Sequence, residues 1–298
     1  MAGFEREFGV RVTYDTYESN EEMLAKLQSG ASGYDLVVPS SYLLPALKAG
    51  GLLAPLHPAY LTLRDNIAPV FRHPVFDPAE AFTVPWQWGM TGIAWRRDLV
   101  AAPPAGWEVF QQARWKGRMT MMDDAREVLG AMLKLRGRSV NEKDAAALEA
   151  AKADAILAKA NLRAWKSAPV KGDLIAGDVW IAQLWNGDAA QAAAERPEIA
   201  FTLPAQGAAI WTDSFAVLAN APHRRAAHEF LNYTLRPAVA AAVSDVTGYG
   251  SPNAAAAALQ RRPVPYPSDA ERSKLEYFDD LGPASQLWDR LWTEIKGA

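Results

Sequence analysis

The chain has no cysteine among its 298 residues, which excludes thiol nucleophiles, thiolate metal ligands and disulfide bonds. Histidine is scarce as well, and the four residues are His57, His73, His223 and His228. None of them stands in the HExxH spacing of a zinc site or beside a carboxylate pattern suited to that metal. The sequence therefore predicts neither a metal site nor a cofactor.

Long apolar runs and an excess of positive charge are missing too. No run approaches the roughly 18 residues that a membrane-spanning helix needs, and the first residues, MAGFEREFG, show neither the basic nor the apolar region of a signal peptide. A formal net charge of −3 gives no general attraction to polyanions. We expect no nucleic-acid partner, and contact with a membrane only through another protein.

What is present is a hydrophobic content of 50% in a chain long enough for two lobes, each with its own core. The first part alternates strand VRVTYDTY (10–17), helix NEEMLAKLQS with Gly30 after it, and strand YDLVVPS (34–40). The second strand is apolar on both faces, as a buried parallel strand is. This alternation predicts an α/β fold whose first core is a parallel sheet.

Two segments rich in β-branched and aromatic residues, 82–95 and 209–220, are predicted to be extended chain that crosses between lobes. Strands RMTMM, VWIAQLW and IAFTLP lie between them, with helix AREVLGAMLKLRG and an alanine-rich helix near 142–160. Two crossings imply a discontinuous first domain. The predicted lobes are 1–88 plus 213–256 for lobe 1, and 89–212 plus 257–298 for lobe 2.

The spacing of acidic and aromatic side chains suggests a binding site. Asp124 and Glu127 stand in MMDDAREV, Trp185 in LWNG, and Trp211 and Asp213 in IWTDS. Carboxylates attract cations, and so do indole faces. If the fold gathers these residues, they describe a receptor for a slender, multiply charged amine.

Each of these residues also has a purely structural interpretation. Asp124 and Glu127 have the spacing of a capping box at a helix start. Asp213 can be satisfied by a structural hydrogen bond to nearby backbone. Trp185 and Trp211, taken singly, are typical core residues, although both stand at apparent strand ends. From the residues alone both interpretations stay open.

Six motifs in series, spread from the first residues to beyond Tyr249, closely resemble the bacterial spermidine/putrescine-binding proteins. The motifs are TYESNEEMLAKL, YDLVVPSSY, DDAREV, WNG, WTDS and GYGSPN. The resemblance implies a type II periplasmic binding protein fold, in which two α/β lobes joined by crossing hinge strands hold a polyamine between them. It further implies a periplasmic monomer that delivers its ligand to the permease of an ABC transporter.

The polyamine contacts that the resemblance implies fall on nine residues: Ser40, Tyr42, Asp124, Glu127, Ser167, Trp185, Trp211, Asp213 and Tyr249. Ser40 and Ser167 enter only through the resemblance, because either would pass as a loop residue. Tyr249 lies between two glycines, which leaves its ring uncovered by its chain neighbours. Phe278 is a further contact position where the family can have glutamine.

The chain departs from the family at its start. Family members begin with an apolar strand and an aromatic NWxxY loop, and this sequence starts after that point, inside the first helix. We therefore expect lobe 1 to be less stable than in relatives, because strand edges would lack partners. We also expect the signal peptide of a periplasmic protein to lie outside this sequence.

Two other functions remain open from the sequence. Asp124, Glu127 and Asp213 could serve as acid and base in an enzyme on the same fold. Against this, the chain lacks a GxSxG elbow, a P-loop and a GxGxxG motif. A cytosolic regulatory receptor is the second alternative. The ligand itself, whether spermidine, putrescine or another organic cation, is not readable from the residues.

Overall fold

The structure, a computed structural model, describes residues 1–17, 20–167, 169–262, 264 and 267–298. The chain divides into two compact units. Unit 1 comprises Met1–Trp88, Thr212–Asp245 and Ser251–Val264, and unit 2 comprises Gly89–Trp211, Val246–Gly250 and Pro265–Ala298. This division places Thr212 and 257–262 in unit 1 and 246–250 in unit 2. The lobes expected from the sequence have these residues the other way round, and that assignment stays a prediction.

Helices and strands alternate along much of the chain. The helices are α1 (Ala2–Phe8), α2 (Asn20–Gln28), α3 (Leu44–Ala49), α4 (Ala125–Leu135), α5 (Ala145–Lys159), α6 (Val170–Ala176), α7 (Asn186–Glu195), α8 (Arg224–Thr234), α9 (Pro237–Thr247), α10 (Asp269–Arg272) and α11 (Ser285–Gly297). The strands are β1 (Leu36–Val37), β2 (Thr83–Arg96), β3 (Met119–Met121), β4 (Leu162–Trp165), β5 (Ile181–Trp185), β6 (Ile199–Thr202), β7 (Ala208–Val217) and β8 (Leu275–Tyr277). Within the described ranges, none of the helices combines the length and the apolar character needed to span a bilayer.

Unit 1 corrects two expectations about the first sheet. β1 pairs antiparallel with β7, so the predicted parallel arrangement is wrong for this pair. The strand predicted at residues 10–17 is irregular chain. A strand needs a neighbour for its backbone groups, and here the amide of Val12 donates to the Glu5 carboxylate at 2.9 Å instead.

An aromatic cluster fastens α1 to α8 within unit 1. Phe4 is 2% exposed, and its ring centroid lies 5.1 Å from that of Phe230 and 5.4 Å from that of Tyr233. Arg236 adds an ion pair to Glu7, in which the two terminal guanidinium nitrogens each donate to one carboxylate oxygen. The first helix is therefore held by buried apolar area as well as by charge.

Unit 2 is a sheet covered by helices on both faces. β3 pairs in parallel with β4 and β5, while β2 pairs antiparallel with β5 and β6. Alternate residues of a strand face opposite sides. Accordingly, Ile93 packs in the core with α4, α5 and α11, whereas Ala94 packs in the core with α6 and α7.

The parallel pair of β3 and β5 positions the chemistry of unit 2. The carboxyl ends of parallel strands meet at one edge of a sheet, where α/β proteins bind their ligands. β3 leads through Asp124 into α4, and β5 ends at Trp185, where α7 begins. The DDARE and WNG motifs therefore lie at the same edge.

Replacing Phe4 by Ala should lower the free energy of unfolding by about 3 to 5 kcal/mol, because the ring is buried among aromatic neighbours. Urea unfolding measures the change. Val75→Ala is the matched control, since that side chain is 97% exposed and should change the unfolding free energy by less than about 0.5 kcal/mol. Equal effects of the two substitutions would contradict the docking of α1.

Candidate functional site

Asp124 and Glu127 begin α4, and only one half of a capping box forms there. Asp124 is the N-cap residue, and its Oδ1 accepts a hydrogen bond from the Glu127 amide at 3.0 Å. The Glu127 carboxylate is held from elsewhere. Its Oε1 accepts from Thr91 Oγ1 at 2.8 Å and from Trp185 Nε1 at 3.1 Å. The helix start thus carries a second carboxylate that faces an indole.

Burial dominates the electrostatics of Glu127. The residue is 6% exposed, and loss of hydration raises the pKa of its carboxyl to about 8. The negative charge of Asp124 raises the pKa further, whereas the hydrogen bonds from Thr91 and Trp185 and the charge of Arg126 oppose the rise. A cation placed beside Glu127 would therefore ionise it near neutral pH.

The sequence did not identify the residues that hold Glu127 in place. Thr91 lies in β2 directly opposite Trp185 of β5. Gln183 is fully buried, and its side chain donates to the Glu127 carbonyl at 2.9 Å. Polar residues inside otherwise apolar strands are costly unless they have such partners. Thr91 and Gln183 could therefore have been identified from the sequence as polar residues within apolar strands.

Trp211 and Tyr249 form an aromatic pair in unit 2. Their ring centroids are 5.1 Å apart at 66°. Gly187 and Gly89 make room for them, because a Cβ at Gly187 would overlap the Tyr249 ring and one at Gly89 would overlap the Trp211 ring. The Trp211 indole nitrogen is buried and has no hydrogen-bond partner among the residues that the structure describes. The pair is thus an edge-to-face aromatic surface with a spare donor.

Asp188 and Lys171 support this pair and were also missed from the sequence. The Tyr249 hydroxyl donates to Asp188 Oδ2 at 3.0 Å. Asp188 is 5% exposed and forms an ion pair with Lys171, whose Nζ lies 2.7 Å from Oδ1. Asp188 directly follows the WNG motif. Its place in the first turn of α7, next to Trp185, is the signal that could have found it.

Ser167 and Phe278 lie beside the acidic pair rather than in it. The hydroxyl of Ser167 accepts from the Asp123 amide at 3.1 Å, one residue before Asp124. Phe278 is 8% exposed, and the Arg126 guanidinium lies 4.7 Å from its ring. The Phe278 ring lines a small cavity together with Glu127. Both residues are therefore neighbours of the Asp124–Glu127 helix start.

Unit 1 brings together a second group, built on Asp213 and Ser40. Ser40 Oγ donates to Asp213 Oδ1 at 2.7 Å, across an antiparallel bridge between the two residues. Asn20, at the start of α2, accepts from the Ser40 amide at 3.1 Å and donates to the Tyr42 hydroxyl at 3.1 Å. Tyr42 in turn donates to Glu21 at 3.0 Å. Asp213 thus has a side-chain donor rather than the backbone donor considered from the sequence.

Asp213 resembles Glu127 in its electrostatics. Burial raises the pKa of its carboxyl to about 6, and the hydrogen bond from Ser40 opposes the rise. Tyr17, which sequence reasoning did not single out, lies close by. Its hydroxyl donates to the Val38 carbonyl, and its pKa is raised by burial and then by the charge of Asp213. Each unit therefore holds a carboxylate whose charge is disfavoured by burial.

The structure assembles the nine predicted contact residues into two groups. Unit 1 carries Ser40, Tyr42 and Asp213, and unit 2 carries Asp124, Glu127, Ser167, Trp185, Trp211 and Tyr249. In unit 1 the three residues are linked directly or through Asn20. In unit 2, Glu127 bonds to Asp124 and Trp185, Ser167 bonds to the neighbouring Asp123, and Trp211 packs on Tyr249. Their role as ligand contacts stays a prediction.

Glu127→Gln should stabilise the ligand-free protein above neutral pH. Because the pKa of Glu127 is raised from 4.5 to about 8 on folding, the folded state holds its proton more tightly and loses stability as pH rises between these values. The amide has no such proton. Urea unfolding should show a gain of about 1 to 3 kcal/mol at pH 8.5 and little change at pH 4.5.

Glu195→Gln serves as the control, because Glu195 is exposed at the end of α7. It should show no difference between the two pH values. A gain for Glu127→Gln that is the same at pH 4.5 and pH 8.5 would contradict the raised pKa.

Comparison with known proteins identifies the family. The family described as bacterial extracellular solute-binding protein matches residues 1–273. The spermidine/putrescine-binding periplasmic protein of Escherichia coli K12 is 35% identical, covering 98% of this chain and 86% of the relative. That of Salmonella typhimurium is 33% identical over the same shares. The predicted resemblance is thereby confirmed.

Solved structures agree on the fold. A putative spermidine/putrescine ABC transporter protein from Listeria monocytogenes aligns with a TM-score of 0.93 at 29% identity, covering 99% of this chain and 94% of that one. The TpPotD lipoprotein of Treponema pallidum aligns with a TM-score of 0.91 at 32% identity over the same shares. The predicted α/β periplasmic binding protein fold is confirmed.

The matched family consists of binding proteins, so the expectation of a receptor rather than an enzyme is also confirmed. The carboxylates at the start of α4 belong to a scaffold that holds solutes. The chain is a member of the bacterial extracellular solute-binding protein family, and within it is similar to the spermidine/putrescine-binding periplasmic proteins.

Proposed function

We propose that this protein is an extracytoplasmic receptor that binds a polyamine, spermidine or putrescine, and delivers it to an ABC importer. The observation that carries the proposal is Glu127, a buried carboxylate held by the indole of Trp185, with its pKa raised to about 8. Such a group is poised to gain from an organic cation. We infer that this cation is a polyamine because the relatives are named as spermidine/putrescine-binding proteins.

A polyamine is a chain of methylene groups with ammonium groups spaced along it. It needs aromatic or apolar walls for the methylenes and carboxylates for the ammonium groups. Each cation–aromatic contact contributes about 0.5 to 2 kcal/mol and each charge-assisted hydrogen bond about 1.5 to 3 kcal/mol. Three carboxylates with several rings therefore suffice for the roughly 8 kcal/mol of micromolar binding after ordering costs.

We assign one ammonium group to Asp213 and another to the Asp124–Glu127 pair. Trp211 and Asp213 are two residues apart in β7, and residues with that spacing project to the same side of a strand. The Trp211 ring is thus suited to the methylene segment next to the ammonium on Asp213.

The remaining parts of the proposal concern place and partners. The relatives are periplasmic proteins, and the matched family is extracellular, so we place this chain outside the cytoplasm. Its partner would be a membrane permease that accepts the ligand, with the receptor acting as a monomer. The ligand-binding residues are the nine named above, with Phe278 as a neighbour of Glu127.

Calorimetry on Asp213→Asn and Glu127→Gln tests the assignment. Each substitution should weaken the binding of the polyamine by about 1.5 to 3 kcal/mol, because each removes a charge-assisted hydrogen bond. Asp269→Asn is the control, since that carboxylate is 94% exposed and pairs only at the surface with Arg272. Unchanged affinity in both site variants would remove the assignment.

Binding should also release protons. The pKa values of about 8 for Glu127 and about 6 for Asp213 fall when an ammonium group lies beside them, so the complex binds fewer protons than the free protein at neutral pH. Affinity should therefore rise between pH 6 and pH 8. Calorimetry at pH 7 in two buffers with different ionisation enthalpies measures the release. A binding heat independent of the buffer would contradict it.

A further inference from the structure

One carboxylate beside the aromatic pair differs from Glu127 and Asp213 because the protein neutralises it internally. Asp188 is 5% exposed, and its two oxygens are taken by different partners. Oδ2 accepts from the Tyr249 hydroxyl at 3.0 Å, and Oδ1 lies 2.7 Å from Lys171 Nζ. A buried carboxylate that already has an ammonium group has little to gain from a second one.

Lys171 is itself held for this role. It lies on α6, and its Nζ also donates to the Gln191 side chain at 2.8 Å. Gln191 in turn donates to the carbonyl of Thr247, two residues before Tyr249. This chain of bonds joins α6, α7 and the segment that carries Tyr249. The Lys171 ammonium is therefore fixed in position rather than swinging free in solvent.

Asp188 lies close to the proposed ligand contacts of unit 2. It is three residues after Trp185, in the first turn of α7, and it holds the hydroxyl of the tyrosine that packs on Trp211. One proposed ligand contact, Tyr249, thus touches this acid directly, and another, Trp185, lies three residues before it.

We propose that Lys171 is a built-in ammonium group that occupies Asp188 and so limits how many ammonium groups of a ligand the site accepts. This inference rests on the proposed polyamine binding. The receptor then offers ligands the acids Asp124, Glu127 and Asp213 but not Asp188. Putrescine has two ammonium groups, and the longer spermidine has three. The preference of the site for putrescine over spermidine is therefore stronger with Lys171 than it would be without it.

The test is Lys171→Met, which removes the ammonium and keeps most of the apolar stem. Without Lys171, the buried Asp188 charge lacks a cation, and the additional ammonium of spermidine can supply one. The ratio of spermidine to putrescine affinity, measured by calorimetry, should rise roughly tenfold or more, the factor for one added charge-assisted hydrogen bond. If the ratio of spermidine to putrescine affinity in Lys171→Met stays within about twofold of that of the unmodified protein, the inference is overturned, because ordinary surface substitutions cause changes of that size.

Three further variants complete the design. Lys166→Met breaks another lysine–aspartate pair of unit 2, with Asp173 at 2.6 Å, and should leave the ratio unchanged. Lys171→Met combined with Asp188→Asn should return the ratio to that of the unmodified protein, because the acid itself is gone. Lys171→Gln, which keeps a polar partner for Asp188, replaces Lys171→Met if the latter does not fold. A smaller rise in the same ratio is then expected, because the neutral amide compensates part of the Asp188 charge.

The outcomes separate the two proposals. If the unmodified protein binds neither putrescine nor spermidine, the proposed function fails and this inference falls with it. If the unmodified protein binds a polyamine and the ratio does not change in Lys171→Met or Lys171→Gln, only this inference fails. A rise in ratio that persists in the double variant also overturns it, because the gain would not come from Asp188.

Discussion

The cost of burying a carboxylate underlies the whole site. Glu127 is buried and Asp213 is partly buried, and both carboxylates are held by neutral hydrogen-bond donors: Thr91 and Trp185 for Glu127, and Ser40 for Asp213. Neutral donors compensate only part of the lost hydration, as the raised pKa values of about 8 and about 6 record. In the ligand-free protein, ionisation of these two carboxyl groups is therefore unfavourable, and an organic cation beside them would make it favourable.

In unit 2, the fold places the acidic side chains at one edge of the sheet. The parallel strands β3 and β5 end at the same sheet edge, so the helix starts after them carry Asp124, Glu127 and Asp188 together. Helix starts tolerate carboxylates because their amides and dipoles favour negative charge. Asp188 shows the other solution to the same problem, since an internal lysine neutralises it. One edge thus carries an acid that a lysine neutralises, Asp188, and an acid that neutral donors hold, Glu127.

Local patterns predicted much of the secondary structure, and the exceptions have physical reasons. The extended segments β2 and β7 are local properties and were predicted from the residues. The N-cap position of Asp124 is also local, and it was one of the two interpretations that the residues left open. The strand expected at 10–17 did not form, and the parallel pairing expected for β1 is antiparallel, because pairing depends on a distant partner. β4, at the end of the strand order in unit 2, was missed because its apolar pattern is weak.

The sequence by itself determined which functional groups are present. It has no thiols and no metal-binding pattern, and it has acids and tryptophans in motifs typical of polyamine receptors. Tertiary structure alone decided which partners those acids have. Residue spacing could not show that Trp185 donates to Glu127 or that Lys171 neutralises Asp188, because these bonds join residues from different strands and helices. A charge shift depends on burial and on neighbours a few ångström away, and only the folded chain brings them together.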